Sequence, residues 1–223
     1  MSEVRQMFDR IASTYDRVNR AMTFGLDKGW RTTTVLQVPE RAATVLDLCA
    51  GTLDLAAEIA RTRPTARTLA VDFARNMLAE GRAKVGDRVG LQIACADVTR
   101  LPVRGGSIDA ALCGFGVRNL PDRAAFLAEV RRALHPGGVL VVLDLFRPEG
   151  GVAKLVHQMH TRTTVPVIGH MLSGDPEAYE YLRDSVERFV TRRAFEAELR
   201  AAGFDQVTAR DVGLGTVSIV RAS

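Results

Sequence analysis

Short apolar runs alternate with helical patterns through the middle of the chain. The helical patterns cover residues 54–63, 75–84 and 122–134. The apolar runs are TVLDLC (44–49), TLAVDF (68–73), VGLQIAC (89–95), SIDAALC (107–113) and GVLVVLDLF (138–146). Strands that are apolar almost throughout and are separated by helices are typical of a parallel sheet covered on both faces. The alternation predicts an α/β fold with a doubly wound, mostly parallel sheet.

The two ends of the chain extend this core. Apolar residues at helical spacing predict a helix near the N-terminus; they are Val4, Met7, Phe8, Ile11, Tyr15 and Val18. Residues 192–204 form a helical pattern closed by Gly203, and QVTARDV and GTVSIVRA follow as two last strands. We predict a seven-stranded sheet in one domain over residues 1–223. An N-terminal helical cover takes residues 1–35, and a helical substrate insertion takes residues 147–191.

The charge and hydropathy patterns exclude several classes of protein. The net charge is +4, but the basic residues are scattered, so we expect no nucleic-acid surface. A weak attraction to an anionic membrane surface stays open. The longest apolar run, near residue 139, is too short to span a bilayer. The N-terminus mixes acids and bases and lacks the apolar core of a signal peptide, so we expect a cytoplasmic protein.

The three cysteines do not suggest a metal site. Cys49, Cys95 and Cys113 each end an apolar run, and no two of them have a paired spacing. We interpret them as small buried hydrophobic side chains rather than metal ligands or disulfide partners. No metal site is predicted.

Polar residues follow the strands at the edge where ligands bind in an open α/β sheet. The first strand continues into DLCAGTLDLA (47–56), with Gly51 in place of the three glycines of a dinucleotide loop. The second strand ends at Asp72, where a carboxylate can accept hydrogen bonds from two ribose hydroxyls. The third is followed by Asp97 and Val98, which can flank an adenine through its amine and its face. A nucleoside without phosphates fits these strand ends better than a dinucleotide.

Each of these acids also has a structural alternative. Asp54 and Asp72 are placed to cap or to stabilise the starts of the helices that follow them. Asp97 is placed to begin a turn toward Pro102. The coincidence of such residues at successive strand ends favours the binding site.

Longer segments resemble a known family. The order of Asp47 and Gly51, Asp72, Asp97 and the late HPGG turn resembles class I S-adenosylmethionine-dependent methyltransferases. Three flanking segments look like the quinone-biosynthesis C-methyltransferases of the demethylmenaquinone and polyprenyl-benzoquinol family; they are MFDRIASTYDRVNRAMTFGLDKGWR (7–31), GFGVRNLPD (114–122) and SGDPEAYEYLRDSVERF (173–189).

The resemblance implies S-adenosylmethionine as cofactor and assigns five residues to it. Gly51 and Thr52 would contact the methionine part, Asp72 the ribose, and Asp97 and Val98 the adenine.

The sequence departs from the family pattern at two loop positions. Leu53 stands where the family's first loop has a second glycine, and Gly114 stands where a small hydroxyl residue is expected. Because residues 54–56 still start a helix in register, we expect the Leu53 side chain to point into the core.

The implied substrate is a polyprenylated quinol, and the implied reaction is C-methylation of demethylmenaquinol to menaquinol. Two alternatives stay open: methylation of a polyprenyl-benzoquinol in ubiquinone biosynthesis, and a non-catalytic scaffold with the same fold. Ring methylation needs a carbon nucleophile, which the reduced quinol provides and the electron-poor quinone does not. The protein must align the reactants, exclude water and stabilise a phenolate.

We predict that Arg118, with Asn119 and Tyr15 as partners, stabilises this phenolate. A guanidinium stays protonated and cannot act as the base. The alternative for Arg118 is a salt bridge to Asp122 or Glu129.

The histidines are candidates for the proton acceptor. Of the four, His157, His160 and His170 fall in the helical insertion, whereas His135 is interpreted as structural. Apolar residues of the insertion are candidates for a groove that holds the prenyl tail; they are Met159, Val165, Val167, Ile168, Met171 and Leu172.

Overall fold

Seven strands form one sheet in a computed structural model that describes residues 2–88, 90–151, 176–213 and 216–223. The strands are β1 (Thr44–Leu48), β2 (Arg67–Asp72), β3 (Leu91–Cys95), β4 (Ile108–Gly114), β5 (Leu134–Leu145), β6 (Val207–Gly213) and β7 (Val217–Ala222). Their order across the sheet is β3-β2-β1-β4-β5-β7-β6. The first five are parallel, and β7 pairs antiparallel with both β5 and β6. The predicted doubly wound, mostly parallel seven-stranded sheet is confirmed.

Helices cover both faces of the sheet. They are α1 (Ser2–Met22), α2 (Asp27–Val35), α3 (Asp54–Thr62), α4 (Arg75–Val85), α5 (Arg123–Ala133), α6 (Pro176–Arg188) and α7 (Arg192–Ala201). The apolar side chains of β1, β4 and β5 are almost fully buried between the layers. This burial explains why the sequence of these strands is apolar almost throughout.

Two sequence-based expectations need correction. The fifth strand begins at Leu134 rather than after the HPGG turn, because Leu134 already pairs with Ile108 and the turn forms an irregularity before Val139 pairs with Ala110. Cys95 is exposed rather than buried, because it ends β3 at the edge of the sheet.

The order of the strands creates a crevice between β1 and β4. The chain moves outward from β1 through β2 to β3, then returns to place β4 on the other side of β1. The carboxyl ends of strands at such a change of direction are where open α/β sheets bind ligands.

Helix α1 lies over this edge and is joined to α4. The backbone N–H of Asn76 donates to Asp9 Oδ1 at 2.8 Å, and Lys84 Nζ lies 2.6 Å from Asp16 Oδ2. The predicted insertion is described only in part, and this part includes α6. The residues predicted for the prenyl groove and the three histidines at 157, 160 and 170 lie outside the described residues. No helix in the described ranges is long and apolar enough to cross a bilayer.

Candidate active site

A cavity of about 100 Å³ lies at the carboxyl ends of β1 to β4, beneath α1. Six of the eight residues predicted for the site line it; they are Tyr15, Gly51, Asp72, Asp97, Val98 and Asn119. Phe115 and Gly116 of the β4 loop also belong to the lining. The strand ends and α1 therefore bring four of the five predicted cofactor residues and two of the three predicted catalytic residues to one cavity.

The two carboxylates of the cavity are held by the local backbone. Asp72 Oδ2 accepts from the Gly51 N–H at 2.8 Å, and its Oδ1 accepts from the Ala74 N–H at 2.7 Å. Asp97 Oδ1 accepts from the Thr99 N–H and hydroxyl, both at 2.8 Å. The turn suggested as the alternative for Asp97 is thus present together with its position on the cavity. The alternative for Asp72 is not, because α4 begins after Ala74 without a side-chain cap. A fixed carboxylate of this kind can receive further hydrogen bonds from a ligand.

Burial acts on the charge of Asp72. Burial raises the pKa of its carboxyl above the ordinary value, and the N–H groups of Ala74 and Gly51 oppose that rise. Hydrogen bonds donated to the ionised form favour it. Hydroxyl donors of a ligand would likewise favour the ionised form of Asp72 and lower its pKa.

The loop after β1 has a backbone that curls under α1. Gly51 has φ +51°, and a Cβ added there would lie 3.3 Å from Met77 Cε. Leu53 has φ +64° and is fully buried against Leu78 and Val85 of α4, as expected from the sequence. The leucine therefore points away from the cavity.

Thr52 does not reach the cavity lining in this structure. Its side chain is buried, and its hydroxyl lies 2.5 Å from Asp16 Oδ1 on α1. The contact attaches the β1 loop to the helix above it. Its predicted contact with the cofactor stays a prediction.

A network of charged side chains supports the same loop. Lys84 lies 2.6 Å from Asp16 and 2.5 Å from Asp54, and Arg31 lies 3.4 Å from Asp54 and pairs with Asp27 on its own helix. The network joins α1, α2, α3 and α4 beside the cavity. The sequence analysis missed it, and the only local signal is the i,i+4 spacing of Asp27 and Arg31.

Asp47, in the middle of β1, is also a residue whose environment the sequence did not reveal. Its carboxyl oxygens are buried and have no hydrogen-bond partner in the described part of the chain. Burial, reinforced by the charge of Asp72, raises the pKa of Asp47 from 3.8 to about 8. The Ala56 N–H is the strongest influence that lowers this pKa, but it does not outweigh burial. The only sequence signal was an acid inside an otherwise apolar strand.

The loop after β4, GFGVRNLPD, packs tightly on the end of β1. A Cβ added at Gly116 would lie 2.4 Å from Cys49 Cβ, so only glycine fits there. Phe115 has φ +59°, and its N–H donates to the Leu143 carbonyl at 2.6 Å. The Phe115 ring lies under two guanidinium groups, those of Arg31 at 5.7 Å and Arg118 at 6.0 Å. Non-glycine residues in this conformation cluster at functional sites.

Arg118 forms a buried ion pair, but not with the acids expected from the sequence. Its Nη1 lies 2.7 Å from Asp144 Oδ1, and its backbone N–H donates to Asp144 Oδ2 at 3.1 Å. The suggested alternatives are wrong, because Asp122 caps α5 through the Ala125 N–H and Glu129 pairs with Arg132. Within the described ranges, Arg118 Nε is buried and has no hydrogen-bond partner. Burial is the largest single influence on the pKa of Arg118 and lowers it, but the charge and hydrogen bond of Asp144, together with Tyr15 and Tyr181, outweigh burial and the net pKa lies above the ordinary value.

A second, smaller cavity of about 40 Å³ adjoins the first. Tyr15 and Phe8 line both cavities, and Arg118 and Tyr181 line only the second. The rest of its lining is mainly apolar and comes from α1 and α6; these residues include Met7, Ile11, Val18, Met22 and Leu182. Burial raises the pKa of Tyr15, and the charge of Arg118 opposes the rise, so the phenol is protonated at neutral pH.

Tyr181 is a site residue that the sequence analysis missed. Its hydroxyl donates to Asn119 Oδ1 at 3.1 Å, which connects α6 to the β4 loop. His135 lies away from the cavity, with Nε2 2.9 Å from Asp109 Oδ1 near the amino end of β4, in agreement with a structural role. Among the described residues, no group of three or more His, Cys, Asp or Glu side chains is arranged to hold a metal ion.

Comparison with known proteins places the chain in a family. The model of the ubiE/COQ5 methyltransferase family matches residues 1–223. The chain is similar to a demethylmenaquinone methyltransferase of Roseiflexus castenholzii, with 38% identity over 217 residues, 97% of this chain and 91% of the relative. It is 37% identical over 227 residues to the ubiquinone/menaquinone biosynthesis C-methyltransferase UbiE of Syntrophotalea carbinolica, with 97% and 92% covered.

Solved structures show the same fold. A SAM-dependent methyltransferase from Thermotoga maritima superposes with a TM-score of 0.69 over 97% of this chain and 98% of that chain, at 16% identity. At this identity the likeness concerns the fold alone, whereas the family match and the curated relatives cover nearly the whole sequence. The predicted class, an S-adenosylmethionine-dependent methyltransferase, is confirmed. The chain belongs to the ubiE/COQ5 methyltransferase family.

Proposed function

We propose that the protein methylates a ring carbon of demethylmenaquinol, a polyprenylated naphthoquinol, and forms menaquinol. The observation that carries the proposal is one cavity lined both by the fixed carboxylates of Asp72 and Asp97 and by Tyr15 and Asn119. The names of the relatives support a quinone as the class of acceptor. Ring methylation requires the reduced quinol, because the oxidised ring is too electron-poor to act as a nucleophile.

The cavity fits S-adenosylmethionine at the three strand ends. Asp72 would accept hydrogen bonds from the ribose hydroxyls, and Asp97 and Val98 would receive the adenine at the end of β3. Gly51 would bring backbone close to the methionine part, and Thr52, whose hydroxyl binds Asp16, would hold the loop in place and contact the methionine part only after a change of side-chain position. The bound cofactor supplies an electrophilic methyl group on sulfur.

We propose that Arg118, Asn119 and Tyr15 act on the oxygen of the acceptor. The phenolic oxygen gains negative charge as its ring carbon becomes nucleophilic, and fixed donors in a cavity shielded from water stabilise such charge. Arg118 supplies a permanent charge held in place by Asp144. Tyr15 is protonated and serves as a donor rather than as the base.

We further propose that the protein contacts the membrane surface to receive a substrate with a prenyl tail. Leu26 and Leu36, at the two ends of α2, are 57% and 56% exposed, and a membrane surface would take both apolar side chains out of water. The net charge of +4 favours an anionic surface.

The decisive experiment is methyl transfer to a panel of chemically reduced acceptors. Labelled S-adenosylmethionine is incubated with the protein and either demethylmenaquinol or a polyprenyl-benzoquinol, each also in its oxidised form. We expect label in the naphthoquinol alone among the reduced acceptors, and none in either quinone. Transfer to the benzoquinol only would assign the protein to ubiquinone synthesis, and transfer to neither would leave the catalytic proposal without support.

The cofactor assignment has its own test. Asp72→Asn keeps the size of the side chain but removes its charge, and we expect S-adenosylmethionine to bind about tenfold more weakly or worse, the effect of a lost charge-assisted hydrogen bond. Binding is measured by calorimetry. Asp87→Asn is the matched control, because Asp87 is exposed and pairs with Arg82 away from the cavity. Equal affinities for Asp72→Asn and wild type would remove Asp72 from the site.

A further inference from the structure

Tyr181 stands on the wall between the two cavities. It lines the second cavity with Tyr15 and Arg118, and its hydroxyl contacts Asn119, which lines the first. Its ring meets Phe8 edge to face, with centroids 6.5 Å apart. An acceptor that extends from the first cavity into the second would pass the Tyr181 hydroxyl.

The hydrogen bonds around Asn119 give the Tyr181 hydroxyl a direction. Asn119 Nδ2 donates to the Phe115 carbonyl at 3.2 Å, and the same carbonyl accepts from Arg118 Nη1 at 2.6 Å. With its nitrogen turned to Phe115, Asn119 presents Oδ1 to Tyr181, and this oxygen can only accept. The Tyr181 hydroxyl therefore donates its hydrogen bond to Asn119, and the lone pairs of the phenolic oxygen remain available to accept a hydrogen bond from another donor.

The two oxidation states of a quinone differ in this respect. A hydroquinone carries O–H groups that can donate to the Tyr181 oxygen, whereas a quinone carries carbonyl groups that can only accept. If the Tyr181 hydroxyl turned to meet a carbonyl, Asn119 Oδ1 would lose its partner, and an unsatisfied polar atom in a cavity wall is costly. We propose that Tyr181 selects the reduced acceptor over its oxidised form through the direction of this hydrogen bond, an inference that rests on the proposed function.

The neighbouring polar groups do not make the same distinction. Arg118 and Tyr15 can donate to a carbonyl, a hydroxyl or a phenolate alike. Burial raises the pKa of Tyr181, with the charge of Arg118 opposing the rise, so Tyr181 is protonated at neutral pH. The difference in affinity between the reduced and the oxidised acceptor therefore depends on the lone pairs of the Tyr181 oxygen.

Binding of a non-reacting pair of ligands tests the proposal. The probe is a naphthoquinone that already carries its ring methyl and one short isoprenoid tail, used in reduced and oxidised form. Affinities are measured by anaerobic calorimetry on protein saturated with S-adenosylhomocysteine. We expect wild type to bind the reduced form about tenfold more tightly than the oxidised form. Tyr181→Phe keeps the ring and its contact with Phe8, and we expect the two affinities to come within about threefold, because the reduced form loses its acceptor.

A second variant should change the affinity for the oxidised form of the probe. Asn119→Ala removes the oxygen to which the Tyr181 hydroxyl donates. The hydroxyl can then donate to a carbonyl, so the oxidised probe should bind more tightly than it does to wild type. A role for Tyr181 in packing alone would change the affinities of both forms alike. Opposite effects on the two forms in the two variants would identify the direction of the hydrogen bond as the cause.

The outcomes separate this inference from the proposed function. A wild-type protein that methylates quinols but binds both forms of the probe equally would overturn the inference alone. So would a preference that survives in Tyr181→Phe, or an Asn119→Ala variant with unchanged affinity for the oxidised form. If Tyr181→Phe does not fold, as judged by circular dichroism, the Asn119→Ala result decides. Absence of methyl transfer to any quinol would instead reject the proposed function.

Discussion

Arg118 shows how one side chain serves both the fold and the proposed chemistry. Its side chain is only 7% exposed, and the paired carboxylate of Asp144 is fully buried. Removing one member of a buried ion pair costs about 3–5 kcal/mol, because the other charge is left without a partner. Loss of activity in Arg118→Ala would therefore not separate a catalytic role from a structural one.

Arg118→Lys is the informative substitution. Lysine keeps the charge next to Asp144 but loses the planar fork that donates to Phe115 and to an acceptor. We expect S-adenosylmethionine to bind within about twofold of wild type, and turnover to fall by on the order of 10², as for a lost oxyanion donor. Steady-state methyl transfer and calorimetry measure the two effects. Normal turnover in a folded Arg118→Lys protein would show that the arginine stabilises the fold and does not take part in catalysis.

Asp47 makes the stability of the fold depend on pH. In the unfolded chain its carboxyl ionises above its ordinary pKa of 3.8, whereas in the folded protein it keeps its proton up to about 8. Between these values the folded state binds more protons than the unfolded state. The contribution of Asp47 is therefore most favourable below pH 3.8 and is lost as the pH rises toward 8.

Asp47→Asn should remove this dependence. We expect the free energy of unfolding of wild type to fall relative to the variant by up to about 1.4 kcal/mol per pH unit over the interval. Urea unfolding of both proteins at about pH 5 and about pH 7 gives the difference. A difference between wild type and variant that does not change with pH would mean that Asp47 ionises normally.

At the scale of elements, the loop between β1 and α3 determines how the cavity is shaped. Leu53 occupies the position before α3 in a left-handed conformation, and its side chain fills a space between α3 and α4. Gly81 of α4 leaves that space open, since a Cβ there would lie 2.6 Å from Leu53 Cγ. The loop thus gains from the leucine a hydrophobic anchor that glycine could not provide.

Two substitutions at Leu53 separate the side chain from the backbone conformation. Both Leu53→Ala and Leu53→Gly should destabilise the fold, because truncating a buried leucine costs about 2–5 kcal/mol. Leu53→Gly should be the milder of the two by about 1 kcal/mol, because glycine has no penalty in the left-handed region. Chemical unfolding measures the stabilities, and calorimetry checks that cofactor affinity does not improve. Tenfold tighter binding in the glycine variant would show instead that the leucine obstructs the cofactor.

At the scale of the whole molecule, the proposed membrane contact combines Leu26 and Leu36 with the net positive charge. We expect co-sedimentation with anionic vesicles to weaken at high salt, because screening shortens the range of the attraction. We also expect the double variant Leu26→Ser, Leu36→Ser to bind about tenfold more weakly or worse, since burying a leucine is worth about 1.5–3 kcal/mol. Ala201→Ser, exposed on α7, serves as the control. Equal binding of the double variant would place the contact elsewhere.

Several features of the molecule could be predicted from the sequence alone. The alternation of apolar strands with helices led to the sheet, and the loops after β1, β2 and β3 led to Gly51, Asp72 and Asp97. The sheet is confirmed, because the period of a strand or a helix depends on the local sequence. Gly51, Asp72 and Asp97 line one cavity, and their contacts with the cofactor stay predictions. The adjacency of strand ends then follows from the general topology of parallel sheets, which places successive loops at one edge.

Contacts between residues that are distant in the chain become visible only in the tertiary structure. Arg118 meets Asp144 because β5 lies beside β4, and Tyr181 meets Asn119 because α6 comes back over the β4 loop. The shifted pKa of Asp47 depends on how completely the two layers of helices exclude water from β1. Local patterns in the sequence were enough for the kind of fold and for a nucleoside without phosphates as the ligand, whereas S-adenosylmethionine followed from the resemblance of longer segments to a known family. Which charges are paired, buried or left free depends on packing across the sheet, and only the folded chain settles it.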